Sequence, residues 1–195
     1  MYATFYCTHS IGPLIHITGL KPIKVTGFEL PFNERMANTG RRCGSTGIEM
    51  ITLENGAVIK SVHGELVRNS IWYTIYGSKG RAESAREDAQ SGDTNKIYVS
   101  LNDHSPEITA YEPISADDAD KFGHSGSDYY TMWNFVEKIL GNPDTDTIDV
   151  YEALDMFLPG LFAYRSILQG GISMNIPDLR NKAIRDKFRT DTSCT

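Results

Sequence analysis

GIEMITLENGAVIKSVHGEL, residues Gly47–Leu66, gives the clearest indication of the fold. Two runs rich in β-branched residues flank Asn55-Gly56, and most positions in both runs alternate between apolar and polar. Asn-Gly is a strong hairpin signal because both residues accept a positive φ. The stretch therefore predicts two antiparallel strands joined by a tight turn.

Further strand-like runs lie on both sides of this hairpin. They are rich in β-branched and aromatic residues and comprise Ile23–Leu30, Ser70–Gly77 and Lys96–Leu101. Gly77–Gly80 predicts another tight turn with a short strand, RAESA, after it, and the polar stretch Ala85–Asn95 predicts a loop. Consecutive strands joined by tight turns form a meander, so we expect an open, mostly antiparallel sheet.

The alternation gives the predicted sheet two different faces. Ile71 and Ile75 point to one side, whereas Trp72 and Tyr76 point to the other. The aliphatic side suits helices packed against it. The aromatic, half-polar side, to which Tyr98 also belongs, suits a subunit partner or a substrate.

The last third of the chain has helical periodicity, with apolar residues recurring every three or four positions. The predicted helices are Ser125–Gly141, Asp149–Gly171 and a shorter one within 176–189. Ser125 and Asp128 predict a capping box for the first helix. Pro159-Gly160 is expected to interrupt or kink the second, and Asp178 to cap the third. With a short helix at the start, this order predicts an α+β fold with helices packed on one face of the sheet.

The composition argues against several classes of function. The 195 residues are 40% hydrophobic and carry a formal net charge of -6, whereas nucleic-acid binding requires a basic surface. No apolar run reaches the roughly 20 residues of a membrane span, and no signal peptide is recognisable. Three cysteines far apart, without a C-x-x-C pair, favour a reduced, cytoplasmic setting.

The common motifs of cofactor, metal and nucleophile sites are missing. The chain contains no G-x-G-x-x-G after a strand, no phosphate-binding P-loop, no H-E-x-x-H and no G-x-S-x-G. His9 and His16 are about two helical turns apart, roughly 10 Å, so they cannot bind one zinc ion. The residues alone therefore predict an α+β domain with no cofactor-binding residues, no metal ligands and no complete active site.

Four stretches of the chain, in this order and at this spacing, match a known family. They are YCTHSIGPLIHITGLKPIKVTGF, YGSKGRAES, GHSGSDYYTMWNFVEKI and IDVYEALDMFLPGLFAYRSILQGGISMNIPDLR. Together they resemble the C-terminal domain of the Gfo/Idh/MocA oxidoreductases, the group of glucose–fructose oxidoreductase and inositol dehydrogenase. The resemblance covers about Tyr6–Arg180.

The resemblance implies that the chain is part of a larger enzyme. Members of this family begin with a dinucleotide-binding Rossmann domain, which this sequence lacks. Residues 1–195 would then be a single substrate-binding and oligomerisation domain, the C-terminal half of an oxidoreductase acting on a sugar or polyol. NAD or NADP would be bound by the missing domain and not by this chain, and a homodimer or tetramer would form through the sheet face.

The resemblance also implies candidate site residues. In family members a histidine on the first helix of this domain acts as acid/base, and the matching residue is His9. The family's Asp-x-x-x-His pattern is broken because Phe5 stands four residues before His9. The pattern is instead Tyr-x-x-His, which makes Tyr6 the second candidate catalytic residue. His124 and Asp128 are candidates for substrate binding, because backbone N–H groups at a helix start can bind oxygen atoms.

Three functions remain open from the sequence. The first is an NAD(P)-dependent sugar or polyol dehydrogenase, active only with its Rossmann domain. The second is an NAD-dependent glycosidase of the same family, whose branch acting on N-acetylgalactosamine linkages shares the Tyr-x-x-His form. The third is a free-standing, non-catalytic dimerisation module. Of the remaining histidines, His16 is expected to be structural in an apolar helix environment, and His63 and His104 are assigned no role.

Overall fold

The computed structural model describes residues 3–32, 34, 44–64, 71–85, 96–101, 109–111 and 118–193. The chain divides into two compact units, Met1–Asn69 with Val150–Thr195, and Ser70–Asp149. The predicted α+β class is confirmed, because the described residues form four helices and two open antiparallel sheets. Most of the predicted loop Ala85–Asn95, and His104, lie outside the described residues.

The elements follow one another in nearly the predicted order. The strands are β1 (Pro22–Glu29), β2 (Thr46–Leu53), β3 (Val58–Gly64), β4 (Thr74–Gly77), β5 (Gly80–Ser84), β6 (Ile97–Leu101), β7 (Thr109–Tyr111) and β8 (Met174–Asn175). The helices are α1 (Thr8–Thr18), α2 (Ser127–Ile139), α3 (Val150–Leu168) and α4 (Lys182–Phe188). Short 3₁₀ turns precede α1 at Ala3–Tyr6 and α2 at Ala119–Lys121 and His124–Gly126.

The predicted meander is divided between two sheets rather than running through one. The first sheet has the order β3-β2-β1-β8 and the second the order β4-β5-β6-β7, and every pair of neighbouring strands is antiparallel. The fourth strand of the first sheet, β8, comes from the far end of the chain, where Met174 pairs with Val25. Such a pairing between distant segments is invisible to a local pattern.

The predicted hairpin between β2 and β3 is confirmed, with one difference in the turn. Gly56 has a φ of 88°, whereas Asn55 keeps a negative φ. Asn55 contributes through its side chain, whose Oδ1 accepts a hydrogen bond of 2.9 Å from the Ala57 amide. The turn is therefore a three-residue loop with glycine in the left-handed position.

The core of the first unit lies between its sheet and two helices. Helix α3 packs on β1, and α1 packs on α3 and β3. Fully or almost fully buried aliphatic side chains meet there, among them Ile11 and Ile15 of α1, Val25 of β1 and Ile51 of β2. In this arrangement Ser10, in the first turn of α1, contacts Ser61 of β3.

The second unit contains β4–β7 and helix α2. Within this unit, α2 contacts the two 3₁₀ turns that precede it. Ile97 and Leu101, on the side of β6 that was predicted to be covered by helices, are exposed. The expected packing of helices on an aliphatic face therefore describes the first sheet.

Three details of the predicted helices differ. Helix α3 runs without interruption through Pro159-Gly160. Helix α4 is capped by Asn181, whose side chain accepts from the amides of Ala183 and Ile184, and not by Asp178. The N-cap of α2 is Gly126, with no side-chain cap, instead of Ser125. Among the described residues no helix is both long enough and apolar enough to cross a bilayer.

Candidate functional site

Tyr6 and His9 lie together at the start of α1. Tyr6 ends the 3₁₀ turn and His9 is in the first turn of the helix, so three positions separate them. Their rings stack with centroids 5.0 Å apart and an interplanar angle of 24°. Tyr6 is 48% exposed and His9 is also exposed. The two predicted catalytic residues thus form one aromatic pair that faces solvent.

The backbone that carries this pair is firmly anchored. Thr4 and Cys7, which flank Phe5 and Tyr6, are fully buried. Ser10 donates a hydrogen bond of 2.8 Å to the Cys7 carbonyl, and its hydroxyl lies 2.6 Å from that of Ser61 on β3. An exposed ring pair therefore stands on a buried segment that contacts the sheet.

A buried pair of a carboxyl group and an imidazole lies close to the same segment, and neither residue was among the predicted site residues. Glu49 of β2 has a side chain with 0% exposure, and both its oxygens accept from Nε2–H of His63, at 2.8 and 2.9 Å. Burial of the Cys7 thiol raises its pKa, and the nearby Glu49 carboxylate raises the pKa further. Glu49 shares its side of β2 with the buried Ile51, and His63 shares its side of β3 with the buried Ile59, so both side chains lie on the core face of the sheet.

His16, also on α1, is not in the apolar environment that the sequence predicted. Its Nδ1 lies 2.5 Å from Oε1 of Glu152, and both side chains are partly exposed. The residue therefore forms a surface ion pair at the opposite end of the helix from His9.

His124 and Asp128 form the second predicted pair, in the second unit. Nδ1–H of His124 donates to both carboxylate oxygens of Asp128, at 2.9 and 3.1 Å. The His124 side chain is 84% exposed and that of Asp128 is 51% exposed. Because Nδ1–H donates to the carboxylate, Nε2 of the neutral imidazole is the nitrogen that can accept a hydrogen bond from another group.

The backbone around His124 is adapted to this pair. His124 has a φ of 52°, the one positive φ among the described residues other than glycine, and such a conformation costs about 1 kcal/mol or more. A Cβ at Gly123 would come within 2.5 Å of Oδ2 of Asp128, so glycine leaves room for the carboxylate. Strain held at one exposed histidine is typical of a functional position.

An open apolar cavity lies along α2 in the same unit. It has a volume of about 310 Å³ and is lined mainly by Phe122, Tyr129, Met132, Trp133 and Val136. The Phe122 and Tyr129 rings are 5.3 Å apart. The cavity lies in the same unit as the His124–Asp128 pair, and its aromatic rings offer flat apolar surfaces of the kind that small-molecule sites use.

The described residues do not fit a dinucleotide or a catalytic metal. Their strand pairs are antiparallel throughout, so they contain no parallel βαβ unit whose helix N-terminus could bind a pyrophosphate. They also contain no group of three or more His, Cys, Asp or Glu side chains that could hold a metal ion. Tyr6 with His9, and His124 with Asp128, are therefore the two polar constellations that the sequence predicted and the structure brings together, each within its own unit.

A family model matches more than half of the chain. It is the model of the glycosyl hydrolase 109 C-terminal domain, and it matches residues 71–185. The match includes His124 and Asp128, whereas Tyr6 and His9 lie before it. No curated protein matches the chain in sequence.

Several solved structures share the fold at low sequence identity. Aldose-aldose oxidoreductase from Caulobacter crescentus superposes with a TM-score of 0.64 at 17% identity, over 87% of this chain and 46% of its own. Myo-inositol 2-dehydrogenase from Lactobacillus plantarum superposes with a TM-score of 0.56 at 18% identity, over 87% of this chain and 47% of its own. An inositol dehydrogenase homolog from Azotobacter vinelandii, in complex with NADH and myo-inositol, superposes with a TM-score of 0.59 at 12% identity, over 87% of this chain and 48% of its own. The chain thus spans about half the length of each protein, and identities this low show the fold alone.

Proposed function

The chain belongs to the glycosyl hydrolase 109 C-terminal domain family, which is of the Gfo/Idh/MocA type, and from this we propose that it supplies the substrate-facing part of an NAD(P)-dependent enzyme acting on a sugar or polyol. The observation that carries the proposal is the exposed stack of Tyr6 and His9 on a buried, anchored segment. A reducing, cytoplasmic setting belongs to the same proposal and rests on the cysteine pattern.

In this proposal His9 is the acid/base. An imidazole titrates near neutral pH and can take the proton of a sugar hydroxyl and return it. Tyr6, stacked on His9, restricts the rotation of the imidazole and adds a phenolic hydroxyl for orienting the sugar. The described residues do not fit NAD or NADP, so dinucleotide binding belongs to a separate domain, and the contribution of this chain is the movement of a proton.

We assign a substrate-binding role to His124 and Asp128. The hydrogen bonds to Asp128 fix the tautomer of His124, and Nε2 can then accept from a sugar hydroxyl. The aromatic rings of the cavity along α2, Tyr129 and Trp133, can cover an apolar face of the sugar.

Two net reactions are compatible with this site. Net dehydrogenation is supported by the fold shared with sugar and polyol oxidoreductases. Glycoside cleavage is supported by the family match and by the Tyr-x-x-His form of Tyr6 and His9. We favour glycoside cleavage because the family match applies to the sequence of this chain, whereas the structural likeness shows a fold common to many activities.

The proposal is tested by joining this chain to a Rossmann domain from a family member and assaying two reactions. Release of nitrophenol from nitrophenyl N-acetylgalactosaminide at catalytic NAD indicates the glycosidase, whereas stoichiometric NADH formation from free sugars indicates the dehydrogenase. His9→Asn should lower kcat for either reaction by about 100-fold or more, the contribution of a general acid/base.

His16→Asn is the matched control, since it changes the other histidine of α1 that faces solvent. It should leave kcat unchanged. Equal activity of the His9→Asn and native proteins would refute the role of His9. Absence of both reactions, with NAD bound by the joined protein, would favour the non-catalytic module.

A further inference from the structure

The proposed function makes no use of the buried pair of Glu49 and His63. Among the described residues it is the most deeply buried contact between a basic and an acidic side chain, with side-chain exposures of 0% for Glu49 and 9% for His63. The two residues occupy neighbouring strands of the hairpin, where Gly47 is opposite His63 and Glu49 is opposite Ser61. Both side chains lie on the face of the sheet that is covered by α1 and the 3₁₀ turn before it.

Stability alone does not account for a pair in this position. Removing a carboxyl group and an imidazole from water is costly, and replacing both partners of such a buried pair by apolar residues of similar volume is often neutral or stabilising. In addition, Nδ1 of His63 is buried and has no hydrogen-bond partner among the described residues. A buried polar atom without a hydrogen-bond partner reduces the stability of a core, so the presence of this pair needs an explanation other than stability.

The pair lies close to the segment that carries Tyr6. A Cβ on Gly47 would lie 2.9 Å from Cε1 of His63, 3.0 Å from Oε1 of Glu49 and 3.1 Å from the amide nitrogen of Thr4. The imidazole, the carboxylate and the backbone of the 3₁₀ turn therefore converge on one small space above Gly47. Thr4 is fully buried, so the backbone of the turn has little room to move independently of the side chains packed around it.

The side chains on this face of β3 also contact the first turn of α1. Ser61, between Ile59 and His63 on that face, is in hydrogen-bond contact with Ser10, which donates to the carbonyl of Cys7. The Cys7 thiol is close enough to Glu49 for the carboxylate to affect its pKa. Both ends of the short segment from Thr4 to Ser10 thus rest on polar side chains of β2 and β3, and the exposed rings of Tyr6 and His9 project from this segment.

We propose that Glu49 and His63 are a positioning pair, which fixes the height and orientation of the segment Thr4–Ser10 above the sheet and thereby the geometry of the Tyr6–His9 stack. The pair touches neither the substrate nor the reacting atoms. Its effect on catalysis rests on the function proposed above, whereas its effect on the stack does not.

The positioning role is tested on the 195-residue chain by NMR of the His9 Cε1–H resonance, which the Tyr6 ring current shifts. Tyr6→Leu supplies the reference value without the stack. In Glu49→Gln, and in the volume-matched double variant Glu49→Met/His63→Phe, the resonance should move more than half of the way to that reference. Because the double variant removes both polar partners together, it should unfold cooperatively, with a free energy of unfolding at least as large as that of Glu49→Gln.

Glu152→Gln is the matched control, because it removes the other His–Glu pair, between His16 of α1 and Glu152 of α3, and should leave the His9 resonance unchanged. A native His9 resonance in the folded double variant would overturn the proposal and leave the pair with a role in stability alone. If Glu49→Gln does not fold, the double variant decides the question by itself.

Turnover of the joined protein then separates this inference from the proposed function. The double variant should lower kcat by about 10- to 100-fold with little change in KM, as small misplacements of a reacting group do. An altered His9 resonance without any effect on kcat would uphold the positioning pair and refute the catalytic role of His9. Native kcat together with a native resonance would overturn the positioning pair.

Discussion

Cys7 is the residue whose chemistry the fold changes most. Its thiol is fully buried. Burial is the main cause that raises the pKa of this thiol above the ordinary value of 9.0, and the nearby Glu49 carboxylate raises it further. A thiol whose folded pKa exceeds its unfolded pKa stabilises the fold below the unfolded value and loses that contribution as the pH rises. We therefore expect the free energy of unfolding to fall above about pH 9, by up to about 1.4 kcal/mol per pH unit from this group.

Denaturant unfolding at a series of pH values measures this effect, with Cys7→Ala as the comparison. The variant is less stable because it leaves a small cavity, and it should lack the Cys7 part of the slope above pH 9. In the native chain, Cys7 should also resist alkylation at pH 8 until the protein unfolds. Identical slopes for the two proteins would show that the thiol titrates in the same way in the folded and unfolded states.

Asp128 controls which nitrogen of His124 carries the proton. Its two oxygens accept from Nδ1–H, so neutral His124 should exist mainly as the Nδ1–H tautomer, although most free imidazole prefers Nε2–H. Asp128→Asn removes the charged acceptor and should shift His124 towards the Nε2–H form, as seen in its ¹⁵N chemical shifts. Asp118→Asn, an exposed carboxylate near Lys121, serves as the control. An unchanged tautomer in Asp128→Asn would remove the basis for the assigned substrate contact.

At the scale of elements, the contact between α3 and the 3₁₀ turn depends on Gly160. A Cβ there would lie 2.3 Å from the Thr4 carbonyl oxygen and 2.7 Å from Sγ of Cys7. Gly160→Ala should therefore cost about 1–3 kcal/mol and displace the turn that carries Tyr6. Gly12→Ala in α1 is the opposite case, since its Cβ would meet Met156 Sδ at an ordinary 3.5 Å, and it should gain about 0.5–1 kcal/mol. Thermal unfolding of both variants tests this ordering.

The sequence predicted the elements better than it predicted their partners. The hairpin at Asn55-Gly56 and helix α2 were recognisable because their signals are local, a turn dipeptide and a helical period. The fourth strand of the first sheet was not, because β8 has two residues and no period, and it joins β1 from 149 positions away at the pair Val25 and Met174. Helix caps were equally uncertain, since Asp178 and Asn181 are both good caps and packing selects between them.

The candidate site also contains residues that the sequence could identify and residues that it could not. Tyr6, His9, His124 and Asp128 were recognisable through a resemblance, and the structure adds that each pair is in contact. The Glu49–His63 pair was missed because both faces of β2 carry apolar residues, Ile48 and Met50 on one side and Ile51 on the other. Alternation alone then gives no reason to place Glu49 inside. Only the helices packed on one face determine which side is buried.

For the whole molecule, the open sheets leave apolar surface exposed. On the first sheet, Phe28 of β1, Ile48 of β2 and Val62 of β3 are cross-strand neighbours on the face away from α1 and α3. Phe28 and Val62 are about half exposed, as is Trp72 in the second unit, where Tyr76 is 78% exposed. Contiguous apolar surface of this kind is typical of an association site, which supports the proposed oligomerisation through a sheet face.

Light scattering of two lysine variants tests this proposal and identifies the face. Ile48→Lys places a charge at the centre of the apolar row on the first sheet, and Tyr76→Lys does the same on the aromatic face that the sequence favoured. We expect the native chain to be a dimer or larger, and Ile48→Lys to be a monomer, because a charge in the centre of an apolar interface has no partner there and costs several kcal/mol. Tyr76→Lys should remain associated if the first sheet forms the interface. Dissociation by Tyr76→Lys alone would assign the interface to the second sheet. A monomeric native chain at high concentration would show that neither sheet face is an association site of this chain.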